Sequence, residues 1–166
     1  MNETVLDQVA LGFREVMAKV CTPVAVITAF DDRRPHGTTV SAFTSLSMGP
    51  PMILVSLDRG SDLLAIIRRT GRFGVNVLAH DQADVAVRFA RKGADKFDGV
   101  DWSDSAELPR LDGAAGWLGC TTASLVDGGD HVVALGNIVE TGVTSTAPLT
   151  YHDRVFGTHR AFEVAR

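Results

Sequence analysis

The sequence predicts a mainly β domain with peripheral helices, a small antiparallel barrel rather than a layered α/β fold. Two observations carry this. Many short β-branched and apolar runs are separated by turn chemistry, above all Asp127-Gly128-Gly129-Asp130 between two long runs, a strong hairpin signal. Only three segments show helical periodicity, and they do not alternate regularly with the strands as a doubly wound parallel sheet requires. The 166 residues carry no linker, internal repeat or low-complexity tract, so positions 1–166 read as a single domain.

The elements follow in order. Leu6, Val9, Ala10, Phe13, Met17 and Val20 recur at helical spacing, predicting a first helix over Glu3 to Lys19 with Pro23 just past its end. Val24 to Phe30 is a strand, and the turn Asp31 to Pro35 leads into an extended segment from Gly37 to Pro51. Met52 to Leu57 is a further strand. A second helix opens at Ser61 and Asp62, buries Leu63, Leu64, Ile66 and Ile67, and stops at Gly71, with Arg68 and Arg69 in its last turn. Phe73 to Leu78 is again strand. A third helix runs from Asp81 to Lys92 and stops at Gly93. Asp98 to Gly116 is polar and irregular and reads as a surface excursion. Leu118 to Val126 and His131 to Thr141 form the long hairpin, and Leu149 to Tyr151 with Val155 to Gly157 a last short one.

Composition narrows the function classes. The formal charge of −4, without a basic stripe, argues against a nucleic-acid partner. The acidic N-terminal stretch does not read as a secretory signal, and no apolar run approaches a bilayer span, so no membrane role is expected. Two cysteines, Cys21 and Cys120, without a CxxC fit a reducing cytoplasm, packed as small buried hydrophobes. The five histidines stand at no metal-ligand spacing, so no metal site is expected. The glycine-rich dinucleotide fingerprint, the phosphate loop, HExxH and GxSxG are all absent.

What chemistry remains sits in the extended segment. Alternation would gather Thr39, Ser41, Phe43, Ser45 and Ser47 on one face, with Thr38, Val40, Ala42, Thr44 and Leu46 on a mostly apolar other face. The hydroxyl row reads either as a solvated face or as a surface for a polar ligand. His131, after Gly129 and Asp130, reads as an exposed turn histidine or as a ligand contact, with Asp130 either orienting it or forming the turn. A hydrolytic Asp130–His131 dyad is disfavoured, because neighbours on a strand point to opposite faces.

The ordered set of GTTVSAFTSLSMGPP at 37–51, FGVNVL at 73–78, RFARKGADKF at 88–97, GDHVVALGNIVE at 129–140 and PLTYHDRVFGTH at 148–159 resembles the short-chain flavin reductase family, the reductase components of two-component flavin-dependent monooxygenases. The resemblance implies a split β-barrel of antiparallel Greek-key type that binds FAD or FMN, usually as a homodimer. It implies oxidation of NADH, less often NADPH, and release of reduced flavin to a partner monooxygenase, with reductases of natural-product biosynthesis the nearest likeness.

Carried onto this sequence, the resemblance places Thr38, Thr39, Val40 and Ser41 along the isoalloxazine and ribityl chain. Ser45 and Ser47 are expected at ribityl or phosphate groups, Ser61 at a phosphate on the helix N-terminus, Lys96 at a phosphate, and Phe97 near the flavin. Phe89, Arg91 and Lys92 would hold the distal end of FAD, which tilts the expectation toward FAD. His131 is expected to position the nicotinamide, with Arg154 and Phe156 completing the pocket. Some relatives carry tyrosine where Phe156 stands. The rival reading is a split-barrel flavin carrier or sensor without turnover; the GDH histidine favours the enzyme, since a carrier needs no nicotinamide pocket.

Overall fold

The computed structural model describes residues 3–93 and 95–162. Its centre is a seven-stranded antiparallel sheet. The strands are β2 (Ala25–Asp31), β3 (Arg34–Val40), β4 (Phe43–Met48), β5 (Pro51–Asp58), β6 (Arg72–Val77), β9 (Gly116–Gly128) and β10 (His131–Val143), in the spatial order β3-β2-β6-β9-β10-β5-β4. β1 (Thr22–Pro23) pairs with the hairpin of β11 (Leu149–His152) and β12 (Val155–Thr158), and β7 (Trp102–Ser105) pairs with β8 (Leu108–Leu111). Three helices accompany them: α1 (Glu3–Ala18), α2 (Asp62–Thr70) and α3 (Ala83–Ala90). The expected mainly β, antiparallel architecture is what the chain adopts.

β2 is buried on both faces and divides the interior. Ala25, Ile27 and Ala29 pack with Leu63, Leu64, Ile66 and Ile67 of α2 and with Phe73 and Val75 of β6. Val24, just before β2, and Val26 face the other way, onto Leu78, Leu111, Leu149 and the Ala86 and Phe89 side chains of α3. Each fully buried Val, Leu, Ile or Phe side chain here stabilises the fold by about 1.5–3 kcal/mol.

Three segments differ from the sequence expectation. The stretch 37–51 is not one ladder: it breaks at Ser41 and Ala42, so that β3 pairs with β2 at one end of the sheet and β4 with β5 at the other. A register shift between Ser45 and Ser47 breaks the alternation a second time. Residues 98–116 are not a surface excursion. Leu108, Pro109 and Leu111 are buried, and the polar groups beneath them are satisfied: Thr28 Oγ1 donates to the Pro109 carbonyl (2.6 Å), and the Leu111 N–H donates to Asn76 Oδ1 (2.7 Å). The β7–β8 turn is made by Ala106 and Glu107, both at positive φ (50° and 59°), so no glycine announces it. Helix α3 starts after Gln82 rather than at Asp81, because the Gln82 side chain accepts the Ala79 N–H at 3.0 Å and donates to the Asp112 carbonyl at 2.9 Å. It ends at Ala90, leaving Arg91 and Lys92 outside the helix.

α1 forms where its periodicity predicts, yet it packs against almost nothing. Val9, Leu11, Phe13 and Val16 are 61–65% exposed. The helix is tethered at its last turns, where Lys19 pairs with Asp153 (2.8 Å), Glu15 pairs with Arg154 (2.5 Å) and the Asp153 N–H donates to the Ala18 carbonyl (2.7 Å). Among the described residues, no helix is long and apolar enough to cross a membrane.

Candidate functional site

The sheet leaves a gap between its ends. β4 accompanies β5 only as far as Val55, with one further bond from the Ser56 N–H to the Ala42 carbonyl (2.9 Å). Past that point Ser56, Leu57 and Asp58 face β3 across open space. β3 is an edge strand, so one side of its backbone is free to hydrogen-bond a ligand. Two adjoining clefts, of about 580 and 280 Å³, fill this gap and share Thr38, Asp58 and Ser61. Together they make a trough along β3 from His36 to Ala42.

The larger cleft is walled on one side by Arg91, Lys92 and Lys96, with Phe97 at its base, and on the other by Asp58, Ser61 and Asp62 at the start of α2. The Lys96 ammonium donates to the carbonyls of Gly37 (3.0 Å) and Phe89 (3.1 Å), leaving one of its three N–H groups for a ligand. Burial holds this lysine below its ordinary value of 10.5. The Ser61 hydroxyl makes no cap bond to the helix it precedes, so it too is uncommitted. His36 lines the same cleft, and burial keeps its imidazole below its ordinary 6.5 against the opposing pull of Asp31.

The smaller cleft runs past Thr38, Thr39, Val40 and Ser41 to His131. The imidazole Nδ1–H donates to Asp130 Oδ1 at 2.7 Å, which leaves Nε2 free. The hydrogen bond from His131 and that ring's charge hold the Asp130 carboxyl below its ordinary value. The expected opposite-face arrangement of this pair fails because Asp130 belongs to the turn and only His131 to the strand, so strand alternation does not apply between them.

The matching family model is the flavin reductase like domain, over residues 17–160. This chain belongs to that family. It is 39% identical over 145 residues to the reductase subunit HsaB of a flavin-dependent monooxygenase from Mycobacterium tuberculosis, covering 84% of this chain and 77% of that one. It is 41% identical over 146 residues to the actinorhodin polyketide dimerase of Streptomyces coelicolor, covering 86% and 82%. Among solved structures, nitrilotriacetate monooxygenase component B from Mycobacterium thermoresistibile superposes with a TM-score of 0.88 at 32% identity, over 95% of this chain and 89% of that one. The NADH:FAD oxidoreductase SgcE6 of Streptomyces globisporus, in complex with NAD and FAD fragments, superposes with a TM-score of 0.86 at 29% identity, over 95% of both.

The donor set fits a flavin: an ammonium with a spare N–H, an uncommitted serine at a helix N-terminus, a basic wall and an open backbone edge in one trough. Thr38, Thr39, Val40, Ser41, Ser61, Arg91, Lys92, Lys96, Phe97 and His131 all line it. Five expected residues stand apart. Ser45 and Ser47 border a separate apolar groove of about 460 Å³ with Phe43 and Met52, because the break at Ser41 carries β4 to the far end of the sheet. Phe89 is fully buried beneath β3, where a Cβ on Gly37 would come within 2.8 Å of its ring. Arg154 pairs with Glu15, and Phe156 packs against Tyr151 at 5.2 Å, both on the β11–β12 hairpin.

The charged and titratable residues of the trough that sequence reasoning missed are His36, Asp58 and Asp62. The face that meets the larger cleft is that of positions 36 and 38, the one read as apolar; the Thr39 hydroxyl instead turns to the Ala86 carbonyl at 2.7 Å. The two cysteines also part company: Cys21 is exposed, contrary to expectation, while Cys120 is buried and its thiol pushed up to about 12. Among the described residues, no cluster of three His, Cys, Asp or Glu side chains is placed to hold a metal ion.

Proposed function

We propose that this chain is an NADH-dependent flavin reductase that reduces FAD, or FMN, and releases it to a separate monooxygenase, working in the cytoplasm as a homodimer. When bound, the flavin supplies the hydride acceptor, taking a hydride from the nicotinamide, and the protein supplies binding, orientation and electrostatics. The observation that carries the reading is the continuity of the trough, from the basic wall past the open edge of β3 to His131.

Lys96, Ser61 and the first N–H groups of α2 hold phosphate. The backbone from Thr38 to Ser41 lies along the ring system and supplies donors where negative charge develops on reduction. Arg91 and Lys92, at the outer end, meet a distal adenylate, which favours FAD over FMN. His131, its ring oriented through Nδ1 by Asp130, presents Nε2 to the nicotinamide carboxamide and positions it. Asp58 and Asp62 oppose the cations across the same cleft. They moderate the attraction for a phosphate and suit a flavin that must leave. The homodimer is supported by α1, whose bare apolar face asks for cover. Natural-product biosynthesis as the setting is supported by the likeness to the actinorhodin polyketide dimerase.

The test is to mix protein, NADH and FAD and follow absorbance at 340 nm. Loss of NADH that depends on both protein and flavin is expected, with NADPH a poorer reductant. Flavin binding without NADH oxidation would leave the carrier reading in place.

A further inference from the structure

We propose that Arg59 is a positioning residue for the nicotinamide side of the site, acting through the β9–β10 turn without touching a ligand. The proposal rests on the flavin reductase reading above. Arg59 sits in the loop between β5 and α2 and lines neither cleft of the trough. Its Nη1 donates to Asp127 Oδ1 at 2.8 Å, and its Nη2 donates to the Gly129 carbonyl at 3.1 Å with a longer approach, 3.5 Å, to the His131 carbonyl. Its backbone N–H donates to the Asp130 carbonyl at 3.0 Å. One residue therefore contacts both ends and the middle of the turn that carries His131.

The turn needs such a clamp. Gly128 ends β9 opposite His131 and Gly129 makes the turn at φ 66°, and glycine gives the backbone its widest freedom. Among the described residues, the only side-chain bond on the His131 imidazole is to Asp130, whose side chain is 93% exposed. Asp58, opposite His131 in the ladder, precedes Arg59, and Gly60 and Ser61 follow it into α2. The same short loop thus joins the phosphate end of the trough to the histidine end. A guanidinium reaches a carboxylate and a carbonyl together through its planar fork; an ammonium lacks that geometry.

The two prongs predict a split outcome. The Arg59 and Asp127 side chains are 46% and 76% exposed, and exposed ion pairs contribute little to stability. Thermal stability of Arg59→Ala should therefore stay close to wild type while the histidine loses its register. Arg59→Ala, Arg59→Lys, Asp127→Asn and the Arg59→Ala/Asp127→Asn double variant should be compared by flavin fluorescence titration, steady-state kinetics and two-dimensional amide NMR of Gly128 and Gly129. Arg59→Ala should raise KM for NADH about fivefold, as the loss of one or two partly solvated charge-assisted bonds would, with Kd for FAD within about twofold of wild type. Lysine should restore part of the loss, and the double variant should be no worse than Arg59→Ala alone. The two glycine amide resonances should shift or broaden in Arg59→Ala.

An unchanged KM for NADH, or an equal rise in KM for NADH and Kd for FAD, would overturn the proposal. If the wild-type protein does not oxidise NADH, the reductase reading fails. The glycine resonances then still decide the clamp, and their being unmoved in Arg59→Ala would overturn it separately.

Discussion

Lys96 is the residue on which the electrostatics of the trough turn. Its ammonium is partly desolvated yet anchored by two backbone carbonyls, so it is already in place when a phosphate arrives. Burial lowers its pKa, and the sign of the consequence follows. Below the lowered value the folded protein carries the cation at a desolvation penalty; as pH rises through it the proton leaves and the penalty disappears, but so does the attraction for phosphate. Flavin affinity should therefore weaken with rising pH before 10.5 is reached, the ordinary value for lysine. Lys96→Met should bind flavin more weakly at neutral pH and lose that alkaline dependence. Fluorescence titrations from pH 7 to 10.5 check it; a Kd for wild type that is flat across that range counts against a phosphate at Lys96. This lysine was legible in the sequence through its DKF setting. His36 was not, because a single histidine in a turn-flanked strand carries no spacing to another group, and its place in the cleft depends on how α3 crosses β3.

At the scale of elements, legibility followed the turn chemistry. The β9–β10 hairpin was readable because Gly129 sits where its turn needs a positive φ, beside Asp130, a turn former. The β7–β8 hairpin was not, since Ala106 and Glu107 adopt glycine-like conformations without being glycine. Likewise 37–51 read as one strand because nothing in its composition marks the break at Ser41; the break comes from β4 having to pair with β5. α1 was legible as a helix, but not as one left bare, since periodicity shows an apolar face and not what covers it. Its exposed stripe is the element a second copy would bury. Phe13, 64% exposed at the middle of that stripe, makes no contribution to this chain's own core. Phe13→Glu should leave the fold intact and shift the protein from dimer to monomer in sedimentation velocity. A wild-type protein that sediments as a monomer at micromolar concentration would sink the homodimer.

Over the whole molecule, the proposed site sits where β3 and β5 leave a gap. The trough is what remains between β3 and the end of β5 beyond Val55. Architecture and trough lining were largely readable from the ordered motifs, which span most of the chain. The separation of Ser45 and Ser47 from the trough was not, because it depends on which end of the large sheet β4 joins, nor was that of Arg154 and Phe156, whose hairpin belongs to a separate three-stranded sheet. The hairpin turns carry one more consequence. Asp32 and Arg33, between β2 and β3, also stand at positive φ (46° and 71°), and neither lines the trough. A two-residue turn of this kind favours Asn-Gly, and a left-handed non-glycine residue costs roughly 1–2 kcal/mol. Replacing Arg33 with glycine should therefore raise the midpoint of chemical unfolding with flavin reduction unaltered. A lowered midpoint would show that the turn depends on the arginine side chain. The chain holds an unspent reserve of robustness at its rim, open to heat-tolerant variants that leave the proposed flavin trough as it is.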